Sequence, residues 1–100
     1  MKDIAELTKK LGDKDSSIRQ SAAEMLGLMV DERAVDSLIP VLKDNNRFVR
    51  QEAVLALGKI GGSRSVEYLT QALGIESNEF VKDFLRKALE KLQSKESTSP

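Results

Sequence analysis

Apolar and polar residues alternate along this chain in two helical rhythms that recur together every 31 to 32 residues. Three stretches align: IRQSAAEMLGLM (18–29), VRQEAVLALGKI (49–60) and VKDFLRKALEKL (81–92). Ahead of each lies a shorter apolar segment, marked by Leu7 and Leu11, Leu38 and Leu42, and Leu69 and Leu73. In the longer segments the apolar positions share one face at the helical period, as in Ile18, Ala22, Met25, Leu26 and Met29. The equivalents are Val49, Ala53, Ala56, Leu57 and Ile60, then Val81, Leu85, Ala88, Leu89 and Leu92. Two amphipathic segments per fixed period predict a stack of α-hairpins. The fold class expected is all-α, an α–α superhelix (solenoid) of three helical hairpins and six helices, without strands.

The first helix of each pair is expected over 3–11, 33–43 and 64–73, the second over 16–30, 47–60 and 79–93. Asp15, Asn46 and Asn78 stand just before the second helices, where their side-chain oxygens can accept unpaired backbone N–H groups. Pro40 falls inside the second unit's first helix and should kink it. Gly74 reads as the extra residue of the longer repeat step. The hairpins span about 1–31, 32–62 and 63–93, one domain over 1–93, and the polar stretch 94–100 reads as a disordered tail.

Beside the main apolar face runs an edge of small residues, Ala23 with Gly27 and Val54 with Gly58. Glycine inside a helix costs about 1 kcal/mol against alanine, so its recurrence in register points to close approach of a neighbouring helix. In the third unit this edge becomes Arg86 and Glu90, and the first unit's opening helix has Thr8 and Lys10 beside its leucines. Polar caps at both ends, and hence a complete three-repeat protein, are the expectation.

With these residues in view, the chain resembles the HEAT-like repeat of the phycobilin-lyase type. The resemblance rests on Val49-Arg50, Ala53, Leu57-Gly58, Ile60-Gly61, Arg64, Val66 and Leu69. It also rests on Ile18-Arg19, Ala22-Ala23, Leu26-Gly27, Asp31, Arg33-Ala34-Val35, Leu38-Ile39 and Leu42-Lys43-Asp44. It covers about residues 3–93. The third unit departs, with Lys82 in the arginine slot, and Val30 stands where the family has glycine. The resemblance implies a right-handed superhelix with the second helices on the concave face. It also implies an Asp–Arg ladder between adjacent loops, built from Asp13, Asp44, Arg19 and Arg50.

Composition narrows the chemistry. Sixteen basic and sixteen acidic residues cancel, which disfavours nucleic acid as the main partner. There is no histidine and no cysteine. The commonest general base and thiolate chemistry are therefore missing, and the His–Glu pairs of HEAT-like di-iron hydroxylases have no counterpart. Lack of cysteine fits a reducing cytoplasm. No apolar run approaches a membrane span, and the charged N-terminus does not read as a signal peptide. No residue is assigned a catalytic, cofactor or metal role.

The candidate site is the arc of the second helices left outside the packing faces. It comprises Gln20, Ser21, Glu24 and Leu28; Gln51, Glu52, Leu55 and Lys59; and Asp83, Phe84, Lys87 and Lys91. Leu28, Leu55 and Phe84 are apolar where solvent is expected, which suggests a contact surface. The alternative is that they are isolated surface residues, or that Phe84 packs on a neighbouring helix. The reading that follows is a cytoplasmic, non-catalytic scaffold, not an enzyme, that binds a protein or peptide of unknown identity on the concave face, as a monomer or weak homodimer. Two alternatives stand beside it. Lys59, Lys82, Lys87 and Lys91 could hold nucleic acid, or the chain could act as a lyase or chaperone on a chromoprotein.

Overall fold

The second helices begin where the sequence sets their caps. Asp15 accepts from the Ser17 N–H at 2.9 Å. Asn46 accepts from Phe48 and Val49 at 2.8 and 3.2 Å. Asn78 accepts from Phe80 and Val81 at 2.9 and 3.1 Å. The structure, a computed structural model, describes residues 3–96. In chain order the helices are α1 (Ile4–Lys10), α2 (Ser16–Met29), α3 (Val35–Leu38), α4 (Arg47–Ile60), α5 (Ser63–Ile75) and α6 (Glu79–Glu96). No strand occurs among the described residues. The hairpins α1–α2, α3–α4 and α5–α6 stack into the expected α–α solenoid.

The α3 segment departs most from expectation. It is a single α-turn, Val35–Leu38, between two 3-10 segments, Glu32–Ala34 and Ile39–Lys43. Pro40 lies at the start of the second 3-10 segment. Proline has no N–H and its ring crowds the carbonyl four residues back, so the helix breaks here instead of only bending. Elsewhere the differences are at ends. Gly74 lies within α5, and α6 continues through Glu96, past the start of the expected tail. Residues 97–100 of that tail lie outside the described residues.

Each helix contributes one fully buried leucine: Leu7, Leu26, Leu38, Leu57, Leu69 and Leu85. Burial of such a side chain stabilises by about 1.5–3 kcal/mol. The second helices pack on one another more closely than the first helices do. The small-residue edge is the cause. A Cβ on Gly27 would lie 2.8 Å from the Ala56 Cα, and one on Gly58 would lie 3.3 Å from the Ala88 Cβ. Close spacing on one side of a stack and wider spacing on the other favours curvature with the closer-packed helices, here α2, α4 and α6, on the inner side.

Arginines tie the loops together. Arg19 donates to both carboxylate oxygens of Asp44, at 2.8 and 3.1 Å, and to the Asp13 carbonyl at 2.7 Å. One repeat on, Arg50 donates to both oxygens of Glu76 at 3.0 Å and to the Asp44 carbonyl at 2.7 Å. Each arginine thus joins its own loop to the next one. The Asp13 carboxylate is not a rung: it accepts from the Asp15 backbone N–H at 2.9 Å. Lys82, in the third slot, instead meets Glu79 on its own helix at 3.3 Å.

The two ends of the stack differ. Arg86 and Glu90 are exposed at the α6 end. At the α1–α2 end Thr8 turns into the stack and shares a hydrogen bond with Ser37 at 2.9 Å. The α2 residues Ile18, Met25 and Met29, placed on the buried face by the sequence pattern, are exposed there. Their equivalents in α4 and α6 are covered by the preceding inner helix, a neighbour that α2 lacks among the described residues.

Candidate functional site on the inner helices

Helix register places the candidate residues along α2, α4 and α6. Leu28 and Leu55 are exposed, as are Glu24, Lys59, Asp83, Lys87 and Lys91. Gln20, Gln51 and Glu52 are partly buried. Phe84 is also partly buried and packs against the hydrophobic core. Its ring is thus shared between the core and the surface; Leu28, 63% exposed, carries most of the solvent-facing apolar area, and Leu55, 37% exposed, carries less.

The structure brings four of these residues into electrostatic contact around Glu52. Burial raises the Glu52 carboxyl above its ordinary range, and the Glu24 charge on the adjacent helix raises it further. Lys59 and a hydrogen bond from Gln20 pull the other way. The pair Glu24–Glu52 spans α2 and α4, and Lys59 lies two turns along α4 from Glu52. A carboxyl with raised proton affinity can exchange a proton nearer neutral pH than an ordinary glutamate can. Among the described residues no group of three or more Asp or Glu side chains is arranged to hold a metal ion.

One surface feature escaped the sequence reading. The Arg47 guanidinium stands 4.7 Å from the centre of the Phe48 ring and 5.3 Å from that of Phe80. Both rings are largely exposed. The signal was present, because Phe48 and Phe80 occupy the same position two residues after the caps Asn46 and Asn78. Ser17 fills that place in the first unit, so the motif is not a full repeat.

No helix among the described residues is long and apolar enough to cross a membrane. The HEAT repeats family matches residues 4–93. A bilin biosynthesis protein, MpeU of Synechococcus sp. (strain WH8020), is 40% identical over 73 residues, which cover 72% of this chain and 25% of that protein. Deoxyhypusine hydroxylase-B of Oryza sativa subsp. japonica is 33% identical over 89 residues, covering 87% of this chain and 30% of that one. The solved structure of human deoxyhypusine hydroxylase in complex with glycerol superposes with a TM-score of 0.83 at 30% identity, over 97% of this chain and 35% of that chain. The chain therefore spans about a quarter to a third of the length of the proteins it matches.

These relatives overturn the expectation of a non-catalytic scaffold that is not an enzyme. One is a hydroxylase and the other acts in bilin biosynthesis, so the repeat unit occurs within proteins that carry out chemistry. The sequence reading kept a lyase or chaperone role on a chromoprotein only as an alternative. It gave the shortage of catalytic side chains more weight than the kinship of the repeats. Stacked helical hairpins of this kind generally offer extended surfaces for contact with other proteins. With 4–93 matched and the hairpin stack in place, the chain belongs to the HEAT repeats family.

Proposed function

We propose that this chain, as one domain over 1–93, takes part in an enzymatic reaction of the bilin-transfer type. Its inner face would hold the tetrapyrrole, and the protein partner would be the acceptor chromoprotein. The observation that carries this reading is the composition of the inner face around Glu52. A linear tetrapyrrole is a long apolar conjugated body with pyrrole N–H donors and anionic propionates. Leu28, Leu55 and the outer part of Phe84 supply apolar area. Glu52 and Glu24 are acceptors for pyrrole N–H groups. Lys59, Lys87 and Lys91 supply charge for propionates. The raised proton affinity of Glu52 suits it to proton exchange with a pyrrole nitrogen. The relative 40% identical over 72% of the chain supports the tetrapyrrole as the substrate class. A histidine-free chain fits this reading better than one that relies on His–Glu pairs. The reducing cytoplasm, where cysteine-free chains are at home, is the proposed location.

The test is a titration of biliverdin into the chain, read by visible absorbance, followed by incubation with an apo-chromoprotein and detection of its fluorescence. Saturable spectral change and faster chromophore delivery than in buffer are expected. Glu52→Gln and Leu55→Ser should each weaken binding at least tenfold. An unchanged biliverdin spectrum, or delivery at the buffer rate, would refute the proposal.

A further inference from the structure

The contact that builds this stack has a fixed polarity. The forward edge of one inner helix (Ala23 and Gly27 in α2, Val54 and Gly58 in α4) receives the rear face of the next. Ala56 of α4 closes on Gly27, and Ala88 of α6 closes on Gly58. Val49 and Ala56, on the rear face of α4, are 0% and 2% exposed. The same register places Ile18, Met25 and Met29 on the rear face of α2, where they are 38%, 38% and 40% exposed. The α2 rear face is thus a stacking surface that no described residue covers.

We propose that this face binds a second copy of the chain, α2 against α2, in a two-fold symmetric dimer. Three observations favour that occupant. The first is shape. Beside Met25 lies a depression of about 270 Å³, lined by Leu7, Ile18, Ala22 and Met25, with Ser17, Ser21 and Lys10 at its rim. A protruding methionine next to an apolar hollow is self-complementary. Antiparallel α2 helices that set Ile18 of each copy against Met29 of the other also set each Met25 over the other's Ala22. A two-fold interface requires such reciprocity, and methionine adapts to irregular hollows.

The second observation is charge. The rim is mostly hydroxyl, and its one cation, Lys10, lies 3.7 Å from Glu6 on its own helix. Two copies therefore meet without opposed like charges in the centre. The third is the opposite end of the stack. A copy could also dock its α2 rear face onto the forward edge of α6, continuing the solenoid head to tail. There the small residues are replaced by Arg86 and Glu90, which would lose water against Met25 and Ile18. Arg86 pairs with Asp83 on its own helix at 3.7 Å, and burying that pair and Glu90 against apolar side chains is still costly, so open-ended growth is disfavoured and the closed dimer is left. One helix layer falls at or below the low end of specific interfaces. The dimer is therefore weak, forming at micromolar or higher concentration.

Sedimentation equilibrium over a wide concentration range tests the proposal. The chain should shift reversibly from monomer to dimer and stop there. Met25→Glu should raise the dissociation constant at least tenfold with unchanged helicity, because the residue is already partly exposed. Glu90→Ala, at the other end, should leave it unchanged. A second variant does not depend on how Met25→Glu folds. The natural chain has no cysteine, so Met25→Cys oxidised at high concentration should give a single cross-linked dimer, and Glu90→Cys should not. A chain that stays monomeric throughout overturns the proposal. So does a dimer indifferent to Met25→Glu, or growth beyond two copies.

Discussion

Val30 holds a left-handed backbone, φ 49° and ψ 48°, at the C-terminal end of α2. A β-branched side chain is poorly suited to that conformation. The next unit has Gly61, with φ 74°, at the corresponding place. Val30→Gly should relieve this strain, and because the Val30 side chain is exposed it loses little packing. A gain of about 1 kcal/mol is expected, less the entropy that glycine adds to the unfolded chain; thermal unfolding measures it. Glu52 gives a pH-dependent prediction. Its carboxyl binds a proton more readily in the fold than the ordinary value of 4.5 implies. The folded state is therefore favoured below that range and loses stability as pH rises through the raised value. Glu52→Gln should raise the urea midpoint at pH 7 and leave it unchanged below about pH 4. An equal shift at both pH values would assign the effect to packing instead of titration. Both residues were visible in the sequence, Val30 as a departure from glycine and Glu52 as a member of the candidate arc that also holds Glu24. Their strain and raised proton affinity were not, because these depend on backbone angle and burial.

Among the elements, the long helices were the most legible. Asp15, Asn46 and Asn78 mark their starts by local chemistry, which a single sequence displays in full. The α3 segment was less so, since Pro40 announces an interruption but not whether the chain bends or changes to 3-10 turns. The partner of Arg50 was missed for a different reason. The first two units show aspartate in the loop slot, and the third supplies Glu76, whose longer side chain still reaches two of the three guanidinium nitrogens, Nε and Nη2. The glycines of the inner helices separate cleanly by what faces them. Gly27 faces backbone as well as side chain of Ala56 at under 3 Å, whereas Gly58 faces chiefly the Ala88 methyl at 3.3 Å. Gly27→Ala must push two helices apart and should cost about 1–3 kcal/mol. Gly58→Ala should cost less, since helix propensity returns part of the loss. Equal urea midpoints for the two variants would contradict this ranking.

At the scale of the molecule, apolar periodicity identified the stack but not which faces it covers. Ile18, Met25 and Met29 carry the same pattern as Val49, Ala56 and Ile60. They differ only in whether another inner helix precedes them among the described residues, which periodicity within one helix cannot encode. Phe84 follows the alternative named for it and packs partly on the core, because a position exposed on a lone helix is partly covered once α6 lies in the stack. Leu57, at the centre of the middle hairpin and fully buried, couples the three units. Leu57→Ala should cost about 2–5 kcal/mol and lower the urea midpoint as a single transition, because three hairpins are too few to unfold independently.

The arginine rungs and the Ala-on-Gly contact also amount to a rule for lengthening the chain. The middle hairpin carries a rear face that fits Gly27, a forward edge that accepts Ala88, and in Asp44 and Arg50 both halves of a loop clamp. It can therefore follow itself. A chain in which residues 32–62 are duplicated in tandem should place the second Ala56 on the first Gly58 and the second Asp44 beside the first Arg50. Such an insertion adds a nearest-neighbour interface while leaving both termini as they are. The enlarged chain should fold with four hairpins and unfold at a higher urea concentration than the natural one. The middle unit is then a cassette, and the length of the protein becomes an adjustable property.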